Sequence, residues 1–340
     1  MEVGFQTLKR MVRTVCASLL VVAALSGALS CSRGDGPGHR EPVRVGTLEL
    51  ETSTLIFIAE DQQFFIRNGL NISSRYYDTG LGTLNGVLNG EVDIGTPVGE
   101  YAMVGKIFDD AEIKAIGTID KVEYQAIIAR KDRGIQNTSN LKGKRVGVIR
   151  RTQQEFYLTR FLQLNGIKTD DVTLVNITLS QCVDAIVNGD VDAVMVVPPY
   201  TDTVQERLGS NAMLWPAQAN QLTHQLVICR KEWASQHPHV VERFLKSLAD
   251  AQDCLLRYPP KAQNIVRERL KLTDQGIAKI WTRNQFGLSL DQSLVVAMED
   301  QARWMISNNL TTQTRIPDFL NYIHEDALRA IKPEAVTIIR

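Results

Sequence analysis

The sequence carries no excess of charge: 38 Lys and Arg stand against 38 Asp and Glu in 340 residues. A nucleic-acid binder needs a basic surface that displaces counterions from phosphates, so that class is excluded. Histidine is scarce, and the five present are scattered at His39, His224, His237, His239 and His324. None joins a metal-ligand spacing or pairs convincingly with a nucleophile, and no phosphate loop of the nucleotide-binding type occurs. Neither a metal nor a cofactor is expected. Cysteine is equally sparse, five in all, which rules out a disulfide-stapled scaffold. No apolar run reaches the roughly 20 residues that a membrane-crossing helix needs.

What is present is ordinary for a globular chain, with 44% hydrophobic and 22% charged residues. The length suits about two domains at roughly 150 residues each.

The one apolar run near the start, residues 15–25, follows Lys9, Arg10 and Arg13 and reads as a secretory signal. It leads through Ser26, Gly27, Ala28, Leu29 and Ser30 to Cys31, and this resembles the bacterial lipoprotein cleavage box. The resemblance implies that Cys31 becomes a lipidated N-terminus. Ala28 occupies the place where leucine is usual, and an ordinary signal peptide with an incidental cysteine is the alternative. Residues 32–41, with Gly34, Gly36, Pro37 and Gly38, are polar and turn-rich and read as a tether. Beyond them stand Cys182, Cys229 and Cys254, which can form one disulfide at most and sit in apolar sequence as buried thiols do.

The rest of the chain repeats itself once. Arg44-Val45-Gly46 is echoed by Arg145-Val146-Gly147, Asn68-Gly69-Leu70 by Asn165-Gly166-Ile167, and Asn89 to Ile94 by Asn188 to Ala193. The three offsets, 101, 97 and 99 residues, agree closely enough to define two related lobes. Each lobe opens on a β-branched run, 43–47 and 145–149, followed by a helix that ends at Gly69 or Gly166. Thr152 and Glu155 have capping-box spacing, and Thr52 sits at the corresponding point of the first lobe. Further strands are expected at 71–76, 92–96, 172–177 and 192–197, and the alternation with helices predicts mostly parallel sheets. Residues 125–130 and 225–230 read as crossings between lobes, with hinges near 124–126 and 223–225. Beyond Trp233 the apolar spacing turns helical, which predicts a helical tail packed on the first lobe.

Ligands in open α/β sheets bind at the carboxyl ends of strands, so the strand-to-helix turns are the places to search. In the first lobe these turns hold Glu49, Thr52, Gly80, Thr83, Thr96 and Glu100, and Tyr124 stands at the crossing. In the second lobe they hold Arg150, Thr152, Gln153 and Tyr200. Gly80 to Thr83 place small residues at a helix start, where free amides favour an anion, although the glycines serve a plain turn equally well. Arg150 and Arg151 can clamp an anion or form a solvated edge, with one of them pointing inward. Against an anion stand Glu49, Glu51, Glu100, Asp120 and Glu123, a mixture that suits a zwitterion or polar heterocycle as well.

These segments resemble a known group. Ala59, Phe64-Phe65, Gly69-Leu70 and the run from Gly90 to Gly95 are similar to the solute-binding proteins of ABC importers for nitrate, aliphatic sulfonates, taurine and thiamine-pyrimidine precursors. Leu141 to Gly147, Gly189 to Ala193 and Pro199-Tyr200 resemble the second-lobe motifs of the same group. The family's usual Gly-Thr-Ser after the second-lobe strand is departed from, with Arg151 at the glycine position and Gln153 at the serine position. Val197-Pro198 replace a frequent Trp-Glu.

The resemblance implies an α/β, type II periplasmic binding protein fold of two lobes, each a mostly parallel sheet flanked by helices, with a helical C-terminal tail. The expected organisation is a signal at 1–30, a tether at 31–41, lobe one from 42–124 and 225–340, and lobe two from 125–224. The implied function is a lipid-anchored, extracytoplasmic binding protein whose closure on a small polar solute is read by an ABC permease and its ATPase. No reaction and no nucleic-acid partner are expected. The alternatives are a periplasmic enzyme, or a sensory module presenting solute to a receptor, on the same fold.

Overall fold

The computed structural model describes residues 40–340. The signal, Cys31 and most of the tether lie outside the described residues. Two sheets organise the remainder. The first contains β1 (Glu41–Thr47), β2 (Leu70–Tyr76), β3 (Ile94–Gly99), β4 (Ile113–Val122), β10 (Thr223–Arg230), β11 (Asn284–Asp291) and β12 (Val336–Thr337), in the order β12-β11-β4-β10-β3-β1-β2. The second contains β5 (Ala126–Arg130), β6 (Arg145–Val148), β7 (Thr173–Asn176), β8 (Ala193–Val196) and β9 (Ala212–Pro216), in the order β7-β6-β8-β5-β9.

The internal repeat has a physical basis in each sheet. The backbone N–H of Arg44 donates to Asp93 Oδ2 at 2.9 Å, its guanidinium pairs with the same carboxylate, and Nη1 reaches the Gly90 carbonyl at 2.9 Å. Arg145 does the same one lobe later, with N–H to Asp192 Oδ2 at 3.0 Å and Nη2 to the Gly189 carbonyl at 2.7 Å. The repeated Arg-Val-Gly and Gly-x-Val-Asp motifs are thus two halves of one clamp, which ties the start of a strand to the turn before its parallel neighbour. The paired Gly69 and Gly166 lie at φ +77° and +69°, a left-handed conformation that glycine adopts without strain.

Both sheets are mixed. The repeated strand–helix units give the parallel pairs, β1 with β2 and β3, and β6 with β7 and β8. The strands that cross between lobes run the other way: β10 is antiparallel to β3 and β4, and β5 to β8 and β9. Parallelism needs a crossover helix between neighbours, and the chain has none where it leaves one sheet to enter the other.

The tail corrects the expectation of helices alone. Helices Pro238–Arg257, Pro259–Leu270, Asp274–Arg283 and Gln292–Ser307 are present, but β11 interrupts them and pairs antiparallel with β4. The alternation of Phe286, Leu288 and Leu290 along β11 is the period-two signal for it. Residues 317–331 form a 3-10 turn at Phe319–Tyr322 and a short helix at Asp326–Ile331, because the chain between them bridges β4, with Ile323 opposite Ala115.

Packing on lobe one centres on the tail: Phe244 of Pro238–Arg257 is wholly buried and stacks on Phe65 with ring centroids 5.2 Å apart. Burial of a side chain of that size stabilises by about 1.5–3 kcal/mol. The tail also touches lobe two. Trp304 of Gln292–Ser307 packs edge-on to Phe156 at 5.8 Å, and Asp300 lies 3.6 Å from Arg160. Cys182, Cys229 and Cys254 are buried thiols, unpaired among the described residues, and burial pushes Cys229 up to about 12.

Candidate functional site

Helix Gly80–Leu88 of lobe one and helix Gln153–Leu164 of lobe two both begin at the cleft between the sheets. Thr79 caps the first by accepting from the Gly82 N–H at 3.0 Å. A Cβ at Gly80 would stand 3.3 Å from the Pro97 carbonyl oxygen, a tight contact that glycine avoids. Thr152 caps the second by accepting from the Gln154 N–H at 3.2 Å. Glu155 accepts from the Arg151 N–H, one residue before the cap, and pairs with Arg150 Nε at 2.7 Å. The cavity between these helix starts measures about 770 Å³. That volume lies in the range of pockets that enclose organic ligands.

The two crossings meet at one side chain. Gln218, wholly buried, accepts through Oε1 from the N–H groups of Tyr124 and Gln125 at 2.7 and 2.9 Å. Its amide nitrogen donates to the carbonyls of Val122 and Gln221, each at 3.0 Å. Four backbone groups of the two connecting strands are therefore satisfied by one residue. Sequence reasoning missed Gln218, because nothing in its local pattern shows that two distant segments converge on it.

Of the residues singled out from the sequence, the cavity is lined by Thr52, Gly80, Tyr124, Thr152 and Gln153. The other six do not line it. Glu49 points to solvent between Leu48 and Leu50. Thr83 is wholly buried, donates to the Thr79 carbonyl at 3.3 Å, and presses its methyl toward Gly46 and Gly95, where a Cβ would meet Cγ2 at 3.2 and 3.1 Å. Thr96 is wholly buried on β3, with no partner for its hydroxyl among the described residues. Arg150 is exposed and held by Glu155, and its neighbour Arg151 lines the cavity instead. Tyr200 is half-buried against the lobe-two core.

Glu100 is wholly buried beneath the cleft at the start of helix Glu100–Phe108. It accepts from Gln301 Nε2 at 2.8 Å, from the His224 N–H at 2.9 Å and from Gln153 Nε2 at 3.4 Å. Desolvation outweighs these donors and pushes its carboxyl up to about 7. His224 is pushed the other way, down to about 4, by burial and then by Lys121, and its Nε2 lies 3.0 Å from Ser293 Oγ.

Charge on the cavity wall is mixed. Lobe one contributes Glu51, which pairs with Arg283 at 2.6 Å, together with Asp78 and the Lys106–Asp109 pair at 3.3 Å. Lobe two contributes Arg151, whose guanidinium makes no ion pair among the described residues. Arg151 lies at φ +64°. This is the left-handed region that glycine favours, and the departure from Gly-Thr-Ser falls on that residue.

The family described as NMT1/THI5 like matches residues 51–262, well over half of the chain. The chain belongs to that family. A putative binding protein of Brucella abortus is 25% identical to this NMT1/THI5-like chain over 265 residues, covering 76% of the chain and 79% of the relative. The taurine-binding periplasmic protein of Escherichia coli is 26% identical over 203 residues, covering 58% and 62%. In structure, the periplasmic aliphatic sulphonate binding protein of Escherichia coli matches with a TM-score of 0.70 at 17% identity, covering 83% of this chain and 97% of that one. That likeness shows the periplasmic binding protein fold. Among the described residues, no helix is long and apolar enough to cross a membrane.

Proposed function

We propose that this NMT1/THI5-like protein is the extracytoplasmic solute-binding component of an ABC importer, held at the membrane by lipid on Cys31 and closing its lobes around a small polar solute. The observation that carries the reading is the cleft itself. Its walls come from both sheets, and the two connections between those sheets converge on Gln218, so the walls can approach by rotation about one buried point. The family and the taurine- and sulfonate-binding relatives make an oxoanion-bearing solute the first class to test. Arg151, with the free amides at the start of helix Gln153–Leu164, supplies a surface for such a group. No histidine lines the cavity, which favours binding over a reaction on the same fold.

Small molecules released by denaturing the purified protein, identified by mass spectrometry, test the reading. An unchanged solute should be recovered, and small-angle scattering should show compaction when it is added back. A released product, or an unchanged radius of gyration at saturation, would count against it. For the anchor, Cys31→Ala should move the protein from the membrane to the soluble fraction, since each buried CH₂ of an acyl chain contributes about 0.8 kcal/mol.

A further inference from the structure

Below the cleft the lobes meet along a seam of two helices. Gln153, Phe156 and Arg160 follow one another at helical spacing along Gln153–Leu164 of lobe two. Facing them, Gln292–Ser307 of the tail sets Trp304 edge-on to Phe156 at 5.8 Å and Asp300 at 3.6 Å from Arg160. The two helices also converge on one atom of a third. Gln153 and Gln301, one from each, donate to the same oxygen, Glu100 Oε1, at 3.4 and 2.8 Å.

Glu100 is wholly buried at this junction, and every donor that reaches it is neutral, the His224 N–H serving Oε2 at 2.9 Å. The charged side chains around it are engaged elsewhere. On its own helix Lys106 pairs with Asp109, and across the seam Arg150 pairs with Glu155. On the tail helix Asp300 stands between Arg160 and Arg303, and Arg303 also reaches Glu299. Lys121 pairs with Asp291 beyond His224, and Glu51 pairs with Arg283 beyond Tyr124, where the buried Asp120 also lies. Burial pushes the phenols of Tyr101, Tyr124 and Tyr157 up and the His224 imidazole down to about 4, so all four are neutral near pH 7. Strand β3 and helix Gly80–Leu88 bring no titratable side chain.

A carboxylate served only by neutral donors in a dry junction is costly, whereas the neutral acid is not. Amide side chains carry both a donor and an acceptor, so Gln153 and Gln301 can serve either form. Within lobe one, Gln301 and the His224 backbone hold Glu100 closely, while the lobe-two contact from Gln153 is long for an N–H···O bond. Water therefore reaches the carboxylate by displacing Gln153, that is, by parting the lobes. We propose that Glu100 is a proton-operated catch between the lobes, closed while its carboxyl is neutral and released when it ionises. The inference rests on the reading that the lobes move. The closed form holds the proton more tightly than an open form in which water reaches Glu100, so closure is favoured below about pH 7 and is lost as pH rises through that value. The hold on a solute should weaken in the same direction.

Small-angle scattering on the purified protein, with protons as the only variable, tests the catch. The radius of gyration should rise between about pH 5.5 and about pH 8.5, the ratio of open to closed protein growing about tenfold per pH unit above the midpoint. Glu100→Gln, nearly isosteric and unable to ionise, should stay compact throughout. Gln301→Met removes the shorter of the two amide donors and should move the midpoint to higher pH, a displacement that a packing role for Glu100 does not produce. The same variant carries the test if Glu100→Gln fails to fold. A wild-type radius that does not change with pH overturns the inference. So does opening of Glu100→Gln with the wild-type profile, or an unmoved midpoint in Gln301→Met. Each of these leaves the solute-binding reading intact, whereas release of a reaction product on denaturation would strike that reading and leave the pH profile as it is.

Discussion

Gln153 of lobe two donates to Glu100 of lobe one at 3.4 Å, beneath the cleft and beside the wall that both lobes build. Glu100 is otherwise held within its own lobe, by Gln301 of the tail and by the His224 backbone on the returning strand. The contact is thus a polar link between lobes, made by a buried carboxyl whose titration falls near neutrality.

A folded-state value of about 7 against an ordinary 4.5 means that the native protein binds the Glu100 proton more tightly than the unfolded chain does. This contribution to stability is complete below about pH 4.5 and is lost as pH rises through about 7. At about 1.4 kcal/mol per unit, roughly 3 kcal/mol is at stake. Glu100→Gln cannot titrate, so urea midpoints of variant and wild type should diverge in the variant's favour by about that amount across the window. A constant difference between them would show that Glu100 does not titrate there.

Arg151 holds a left-handed backbone conformation at φ +64°. Such a conformation costs a non-glycine residue on the order of 1 kcal/mol. Arg151→Gly should therefore raise stability by about 1 kcal/mol while weakening any solute with an anionic end. Arg150→Ala, which removes the half-exposed partner of the buried Glu155 and lies outside the cavity wall, should change affinity little. Calorimetry and thermal melts on the two variants distinguish these outcomes.

Removal of the Gln218 amide takes a hydrogen-bond partner from four backbone groups of the connecting segments. Orphaned buried groups cost roughly 1–3 kcal/mol each before relaxation or water entry, so Gln218→Ala should lose at least about 2 kcal/mol. Chemical denaturation measures it. A loss below about 0.5 kcal/mol would mean that water replaces the amide without penalty.

Thr83 packs into lobe one instead of facing the cavity. Thr83→Ala should cost about 1 kcal/mol of stability through the lost methyl and leave solute affinity unchanged. A clear loss of affinity with no change in melting temperature would place its hydroxyl on the solute.

Much of this was legible from local chemistry. The Arg-Val-Gly and Gly-x-Val-Asp repeats marked the two lobes because one clamp, Arg44 with Asp93 and Arg145 with Asp192, is built twice from residues at fixed places on a strand and a turn. Asn-Gly ended helices, and Thr152 capped one, for reasons contained within a few residues. The strand–turn–helix order likewise pointed to the cleft, and Thr52, Gly80, Tyr124, Thr152 and Gln153 lie in its wall. Only tertiary structure decided which neighbour faces inward. Arg150 and Arg151 are both arginines at one turn, and the partner Glu155 and a left-handed backbone sort them. Gln218, Glu100 and Asp120 owe their environments to strands far apart in the chain, and β11 entered the sheet because β4 offered a free edge. Periodicity reports which face of an element is apolar, and it holds no information about what distant segment will cover that face.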